Sequence, residues 1–524
     1  MFIFQWCSTK MCLMRQHRTR NERSNYHSEK NENAYVMFRP HSPKVKLVTS
    51  HLMTERTSVL VVASNFPPVH SGGVYRTLRL AKYLPDFGWD LKVLTLSQAT
   101  FPHGTVVDHD LVAQVPDSTI VYRADAEYPL ERLHSLRDFF RRRLREKKVG
   151  PASRGKKQHR VRLNKKGYLQ ILKDRITLPY MTPDKIVGWV KPASKIGMRI
   201  AQEQQVSLIY SSGPPFSNHL VGNRIKAKCG LPWVADFRDP WLGNDWRPDR
   251  ESESWSGRKH RAMESSVFVN ADQVIFNTER SRHDAISRFG GQLAQKSVVI
   301  ANGFDPSDFS NASLISNGCI NSSSCDHEAQ SRKENQSLKL VHTGSFYGRR
   351  NIDSLIRALG ELTQCERLDR GDLSIDLIGN VRDHERHLVE DCKVSDMVRL
   401  IPPMPHQECL ARIRQADALL LVQTEAPLCI PGKLYEYIAV GKPVFTLASA
   451  GATADLVTQE RLGPCVDPDD LDAVKATVLD LVDQYRDGRL KQPDGHAVER
   501  YNGHNQMKEF DSVFRVALLG NPSD

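Results

Sequence analysis

Residues 58–84 read SVLVVASNFPPVHSGGVYRTLRLAKYL, and this stretch decides the fold class. Its first seven residues form an apolar run without polar alternation, which is typical of a strand buried on both faces of a parallel sheet. Two adjacent glycines, Gly72 and Gly73, then precede a helix predicted at 75–84. Strand, turn and helix in this order indicate one unit of a doubly wound α/β domain.

The same unit recurs in two series along the chain. The further runs of the first series are LKVLTL (91–96), TIVYRA (119–124), VSLIYSS (206–212), PWVADF (232–237), QVIFNT (273–278) and SVVIAN (297–302). Those of the second series are LKLVHTG (338–344), LSIDLIG (373–379), VRLIPP (398–403), ALLLVQ (418–423) and PVFTLAS (443–449). Further helices are predicted at 218–229, 352–362, 434–440 and 506–519. We therefore expect an α/β fold with two tandem Rossmann-like doubly wound domains and an inter-domain cleft at the carboxyl ends of their strands.

Shifts in composition predict the domain boundaries. The polar stretch 1–52 has no period in its apolar residues, so we expect a disordered N-terminal extension. The first domain then spans 53–310. A stretch rich in serine, asparagine and charge, 311–337, is expected to be a flexible linker. The second domain spans 338–490, and a helical tail covers 491–524.

The positive charge of the chain is concentrated locally. The net charge is +12, and the segment 141–166 alone holds 13 lysines and arginines against one glutamate. Residues 1–52 carry a net +6, so the rest of the chain is mildly acidic at −6. The basic segment is either a solvated loop or a peripheral contact with an anionic membrane, because clustered cations are attracted to anionic headgroups. It lacks the interleaved aromatic residues that stack on bases, so we expect no nucleic acid as partner.

The composition also bears on metals and membranes. The ten cysteines form no CxxC pair or dense cluster, so neither a disulfide framework nor a zinc site is indicated, and we expect a reducing, cytoplasmic compartment. No apolar run reaches the roughly 18–20 residues of a membrane span. Any membrane contact is therefore expected to be peripheral, at the inner face.

Two strand ends carry groups suited to an anion. Gly72 and Gly73 follow the first run, where helix N-terminal N–H groups can approach a ligand, although two glycines also make an ordinary tight turn. Arg349 and Arg350 follow the run 338–344, and arginines at such a position suit bidentate phosphate recognition. Paired arginines at a surface can equally be solvated charges.

The most informative stretch is PGKLYEYIAVGKPV at 431–444. A turn delivers Lys433, whose ammonium can neutralise a phosphate, and a short helix carries Glu436. A carboxylate at a cleft can accept hydrogen bonds from vicinal sugar hydroxyls. Both residue types therefore suit a ligand that carries phosphate and sugar.

With these motifs the chain resembles the retaining, GT-B-fold glycosyltransferases of family 4 over roughly residues 57–518. The stretch 431–444 is similar to the donor-binding motif of that family. Supporting stretches are NFPPVHSGGVYRTLRLAKYL (65–84), GWDLKVLTL (88–96), VVIANGFDPSDF (298–309) and HTGSFYGRRN (342–351), while SSGPPFSNHL (211–220) and GLPWVADFRDPW (230–241) resemble a bacterial subgroup. The resemblance implies that 53–310 is the acceptor-side domain and 338–490 the nucleotide-sugar-binding domain.

The resemblance also implies a role for each matching residue. Glu436 would bind the ribose hydroxyls of a nucleotide sugar. Arg350 stands where the family usually has a diphosphate-binding lysine, and Ser345 stands where many members have an arginine, so Lys433 would supply the second charge. Arg350 and Lys433 are therefore catalytic candidates. The other donor-binding positions implied by the resemblance are Gly72, Gly73, Leu434, Gly451 and Asp455.

Two positions depart from the family pattern. Many members carry two glutamates eight positions apart, and the earlier position here is Leu428, with Glu425 the nearest upstream acid. The catalytic histidine of the family has no clear match, and Asp236, Arg238 and Asp239 occupy that strand end instead. These three are either catalytic candidates or members of a salt-bridged loop.

These inferences predict an enzyme. We expect a glycosyltransferase that moves a glycosyl (hexosyl) group from a nucleotide-diphosphate sugar to a hydroxyl acceptor, with retention of configuration and without a metal or other cofactor. The acceptor is expected to be a saccharide or a lipid-linked molecule, in polysaccharide or glycolipid biosynthesis. The alternatives are a catalytically inactive sugar-nucleotide-binding protein, which the leucine at 428 favours, and a sugar-nucleotide epimerase.

Overall fold

The computed structural model describes residues 56–128, 181–243, 253–309, 337–346, 351–424 and 426–520. Its two sheets lie in one compact unit, Thr54–Asp524. Several predictions concern residues outside the described ranges: the extension 1–52, the basic insertion 141–166, the linker 311–337 apart from its last residue, Arg350 and Glu425.

The first sheet has seven parallel strands in the order β3-β2-β1-β4-β5-β6-β7. The strands are β1 (Thr57–Val62), β2 (Trp89–Leu96), β3 (Ile120–Ala124), β4 (Leu208–Gly213), β5 (Trp233–Phe237), β6 (Gln273–Phe276) and β7 (Ser297–Val299). The predicted strands of the first series are thereby confirmed. The strand order reverses between β1 and β4, and a crevice opens at the carboxyl ends of a parallel sheet at such a point.

The helices described between these strands are α1 (Val74–Tyr83), α2 (Val190–Glu203), α3 (Ser217–Cys229), α4 (Trp255–Asn270), α5 (Glu279–Phe289) and α6 (Gly291–Gln295). Both faces of the sheet are covered, as its continuous apolar runs require. On one face Trp233 and Phe237 pack with Phe216 and Trp241, all of them buried. We call this sheet with its helices the N-terminal domain.

The second sheet has six parallel strands in the order β10-β9-β8-β11-β12-β13. The strands are β8 (Leu338–Thr343), β9 (Leu373–Ile378), β10 (Val398–Ile401), β11 (Ala418–Gln423), β12 (Val444–Ala448) and β13 (Cys465–Val466). The helices are α7 (Asp353–Gln364), α8 (Asp383–Asp391), α9 (His406–Arg414), α10 (Lys433–Val440), α11 (Ala452–Gln459) and α12 (Leu471–Arg486). The predicted second doubly wound domain is confirmed, and we call it the C-terminal domain.

Helix α13 (His496–Tyr501) packs with the core of the C-terminal domain, and the last helix, α14 (Gly503–Leu519), returns to the first sheet. Phe514 lies edge-on to Trp89, with ring centroids 5.2 Å apart, and it also contacts Tyr210 at 5.5 Å. The indole N–H of Trp89 donates to Asp511 at 2.8 Å. The predicted helix at 506–519 is therefore present, and it covers one face of the N-terminal sheet.

No helix in the described ranges combines the length and the apolar content that crossing a bilayer requires. Within those same ranges, no group of three or more histidine, cysteine or acidic side chains is arranged to hold a metal ion.

Candidate active site

The carboxyl-end loops of the two sheets touch each other. Tyr75, at the start of α1 after β1, lies against His406, which begins α9 after β10. Thr278, after β6, donates its hydroxyl to the carbonyl of Leu428, after β11, at 2.8 Å. The strand ends of both domains therefore meet around one region, which is where ligands bind in sheets of this kind.

Helix α10 presents the two central residues of the sequence motif. The turn at Gly432 starts the helix, so that Lys433 and Glu436 lie three residues apart in its first turn. Residues at this spacing are neighbours on one helix face. A cation and a carboxylate are thus held side by side by backbone geometry.

The ammonium of Lys433 lies at the end of β8. Its Nζ donates to Nε2 of His342 at 3.2 Å, while Nδ1 of His342 donates to the carbonyl of Leu420 at 2.9 Å. A Cβ at Gly344 would lie 2.7 Å from Nζ, and Gly344 has a φ of +121°, so only glycine leaves room for the lysine without backbone strain. The lysine is therefore held where the segment carrying Arg350 begins.

Glu436 is bound by a histidine from the neighbouring helix. Its Oε1 accepts from Nε2 of His406 at 3.0 Å, and each side chain is 31% exposed. This bond raises the pKa of His406 above its ordinary value. The ring of Tyr75 lies 6.0 Å from the His406 ring, within the range of aromatic contact. Glu436 is thus linked through His406 to the N-terminal domain.

On the N-terminal side, Arg238 packs on the glycine turn. A Cβ at Gly73 would lie 2.8 Å from the guanidinium carbon of Arg238, so glycine permits the close approach. The guanidinium donates to the carbonyl of Pro214, while its buried Nε has no hydrogen-bond partner among the described residues. A buried cation whose donors are incompletely used is suited to an incoming anion.

Asp236 lies beneath this surface in a buried network. It accepts two hydrogen bonds from Arg76, at 2.8 and 2.9 Å, and one each from Tyr210 (2.6 Å) and Ser212 (2.8 Å). Arg76 also donates to the carbonyls of residues 300 and 301. For Asp236, this arrangement agrees with the second of the two interpretations of the strand end, a salt-bridged loop. A catalytic role for Asp236 stays a prediction. Asp239, just beyond the end of β5, is exposed.

The position that departs from the glutamate pattern lies at the contact between the domains. Leu428 receives the hydrogen bond of Thr278, and its Cδ1 would lie 2.8 Å from a Cβ at Gly243. Close by, Asp455 forms a two-bond ion pair with Arg280 of α5, and this pair lowers the pKa of Asp455. Asp455 therefore joins the domains in this structure, and its predicted donor contact stays a prediction.

The other predicted positions are distributed around the same loops. Ser345 accepts from the backbone N–H of Asn380 at 3.0 Å. Leu434 is fully buried in the core of the C-terminal domain. Gly451 lies against the backbone of Pro427, and Gly72 is exposed in the glycine turn.

Sequence reasoning missed three residues that the structure brings to this region: Tyr75, Arg280 and His406. Arg280 and His406 follow the carboxyl end of a strand by a few residues, and Tyr75 lies at the start of the helix that follows β1, which is the signal that could have found them. A continuous set of contacts now leads from Arg238 over the glycine turn to Tyr75 and His406, and on to Glu436 and α10. The loops around Glu436 thus carry a cation from each domain, Lys433 and Arg238, together with a carboxylate that can accept hydroxyl hydrogen bonds, a combination suited to a phosphorylated sugar.

Two parallel, doubly wound domains with contacting strand ends, and a last helix that returns to the first domain, define the GT-B architecture. Two family models match the sequence: the glycosyl transferase 4-like domain over residues 71–303 and the glycosyl transferases group 1 domain over residues 325–492. The chain is therefore a GT-B glycosyltransferase-like protein, and these domains support glycosyl transfer as its activity.

Solved structures agree with this fold. Sucrose-phosphate synthase from Thermosynechococcus elongatus has a TM-score of 0.54 at 15% identity, with 88% of this chain and 98% of that chain covered. WaaG, a glycosyltransferase involved in lipopolysaccharide biosynthesis, has a TM-score of 0.50 at 13% identity, with 87% and 99% covered. At these identities the likeness shows the fold alone. None of the curated proteins matches the chain in sequence.

Proposed function

We propose that the protein transfers a glycosyl group from a nucleotide-diphosphate sugar to a hydroxyl of a saccharide or lipid-linked acceptor, with retention and without a metal or other cofactor. The observation that carries this proposal is the presence of both Lys433 and Glu436 in the first turn of α10, beside the strand ends of both domains. Glu436 would accept hydrogen bonds from the ribose hydroxyls, and Lys433 would face the diphosphate.

The proposed glycosyl transfer requires stabilisation of the leaving group. Negative charge develops on the diphosphate as the glycosidic bond breaks, and fixed cations aimed at that charge lower the barrier. Lys433 on the C-terminal side and Arg238 on the N-terminal side suit this task, and the N-terminal end of α10 adds a favourable dipole. Arg350, outside the described residues, is proposed as the further cation.

Product analysis tests this proposal. UDP-, GDP-, ADP- and TDP-sugars are first screened by thermal shift, since a ligand at 100 times its dissociation constant stabilises a protein by about 2.7 kcal/mol. The stabilising donor is then incubated with saccharide and lipid-linked acceptors, and the products are identified by NMR. A new glycosidic bond with the anomeric configuration of the donor supports the proposal. Release of an epimerised sugar nucleotide, or binding without any product, supports the corresponding alternative and contradicts ours.

Replacing Glu436 with alanine should weaken donor binding about 10- to 150-fold, because a hydrogen bond to a charged group contributes about 1.5–3 kcal/mol. Calorimetric titration with the donor measures the change. Glu408→Ala removes an exposed carboxylate from the neighbouring helix α9 and should leave the affinity at the wild-type value. Equal donor affinity in Glu436→Ala and the wild type would refute the ribose contact.

The basic insertion 141–166 is proposed to draw the enzyme to an anionic membrane surface, where a lipid-linked acceptor would lie. Its net charge of +12 in 26 residues motivates this proposal. Vesicles with anionic lipid should co-sediment with the wild type, and less so as salt rises, because such attraction is screened within about 8–10 Å. Replacing its lysines and arginines with serine or glutamine should abolish co-sedimentation.

The matched control replaces the nine lysines and arginines of residues 1–52 in the same way and should retain binding. If neutralising 141–166 leaves co-sedimentation unchanged, the segment has no role at the membrane.

A further inference from the structure

His406 connects two features that the proposed function uses separately. Its Nε2 donates to Oε1 of Glu436 at 3.0 Å, and no other side-chain hydrogen bond to Glu436 forms within the described part of the chain. Its ring lies 6.0 Å from that of Tyr75, tilted by 36°. Tyr75 stands two residues after Gly73, so it is delivered by the glycine turn of the N-terminal domain. One imidazole therefore contacts the proposed ribose ligand on one side and the facing domain on the other.

We propose that His406 is the positioning residue for the donor ribose: it holds one oxygen of Glu436, so that the other is presented to the ribose hydroxyls, and Tyr75 keeps the imidazole in this orientation when the domains meet. The inference rests on the proposed function, because it assigns an orienting partner to the proposed ribose-binding carboxylate. A carboxylate with one oxygen already bound has fewer orientations to lose when the donor arrives.

The surroundings of His406 favour its protonated form. Besides Glu436, the carboxylates of Asp308, in the segment after β7, and Asp108, in the loop after β2, act on it from the N-terminal side. Together with the bond to Glu436, which is the main cause, they raise the pKa of His406 above 6.5. Tyr75 stays neutral because burial raises its pKa to about 12.

The sign of the pH dependence follows from these groups. His70 also lies near Tyr75, at 6.4 Å between ring centroids, and is paired with Asp108. The charge-assisted bond between His406 and Glu436 is complete below the raised pKa and weakens as the pH rises through it, so donor affinity should fall on the alkaline side of pH 6.5. A His70→Gln background shows whether His70 contributes to this change.

The experiment compares donor affinity, KM and kcat in four variants. His406→Ala should raise the donor dissociation constant and KM about tenfold, with a smaller change in kcat, because a charge-assisted bond that orients the carboxylate is lost. His406→Gln retains an N–H donor and should recover most of the affinity without the alkaline decline. Tyr75→Phe keeps the ring and should match the wild type, whereas Tyr75→Ala should resemble His406→Ala.

His504 provides a matched control. Its Nε2 pairs with Asp86 at 3.2 Å, and its ring lies 5.6 Å from Tyr83, so a histidine, a carboxylate and a tyrosine are again together. Tyr83 is eight residues from Tyr75 along α1, about 12 Å away. His504→Gln should leave donor affinity and its pH profile unchanged.

The outcomes separate the two proposals. If Glu436→Ala weakens donor binding but His406→Ala leaves it equal or makes it tighter, the positioning role is wrong and the ribose contact stands. The positioning role is equally wrong if His406→Gln keeps the alkaline decline of the wild type in the His70→Gln background. If Glu436→Ala itself has no effect on donor binding, the ribose contact on which the proposed function depends is refuted, whatever the His406 variants show.

Discussion

Replacing Lys433 with methionine should lower turnover at saturating donor by about 100-fold or more, which is the loss typical when one group that stabilises developing charge is removed. The ammonium is fixed by the start of α10, by Nε2 of His342 at 3.2 Å and by the space that Gly344 leaves. Its charge is therefore already in place when the diphosphate departs. Methionine is slightly shorter than lysine but keeps an unbranched side chain and removes the charge, so the fold should be retained.

Single-turnover and steady-state rates with the donor identified by thermal shift measure this effect. Lys442→Met provides the control, because Lys442 lies just beyond the other end of the same helix. Arg350→Ala is expected to behave like Lys433→Met. If both variants keep wild-type turnover on saturating donor, the cations that act on the diphosphate lie elsewhere.

Replacing Arg76 with methionine should lower the free energy of unfolding by about 3–5 kcal/mol, the usual loss when one partner of a buried ion pair is removed. Arg76 is 3% exposed and Asp236 is fully buried. The substitution leaves the carboxylate of Asp236 without its two guanidinium bonds, and it removes the arginine donor from the carbonyl of Ile300. The carbonyl of Ala301 loses one of its two donors and keeps the amide of Gln506. A buried charge that has lost its partner is costly because water cannot replace the lost bonds.

Denaturant unfolding monitored by circular dichroism measures this loss. Arg515→Met is the matched control: its pair with Asp511 joins positions i and i+4 of α14, and Arg515 is 57% exposed. Exposed helical pairs of this kind contribute only about 0.3–0.5 kcal/mol. A loss for Arg76→Met no larger than that of the control would show that the buried network does not stabilise the N-terminal domain.

The buried network also shows that two neighbouring residues at the carboxyl end of β5 have different surroundings. Asp236 and Arg238 are two residues apart, yet Asp236 points into the network and Arg238 packs on the glycine turn. In a strand, successive side chains alternate between faces and those two positions apart share one, but Arg238 lies just beyond the end of β5, where the pattern stops. Only the observed contacts distinguish the two residues.

The sequence by itself determined the elements and their class. Continuous apolar runs such as 418–423 predicted strands because a strand buried on both faces needs apolar residues at every position, and β11 has those bounds. The short strand β13, Cys465–Val466, was missed because two residues carry no pattern. Lys433 and Glu436 were also predicted from the sequence, since both belong to one short motif at the start of a helix.

Only the tertiary structure decided which polar groups meet. Arg76 and Asp236 are 160 positions apart, and His406 and Glu436 are 30 positions apart on different helices. Leu428 gives no sign in the sequence that its carbonyl binds Thr278 of the other domain. The physical reason is that burial repeats with the period of a helix or strand, whereas a hydrogen bond between distant side chains depends on how the sheets and loops pack, and no local period records that packing.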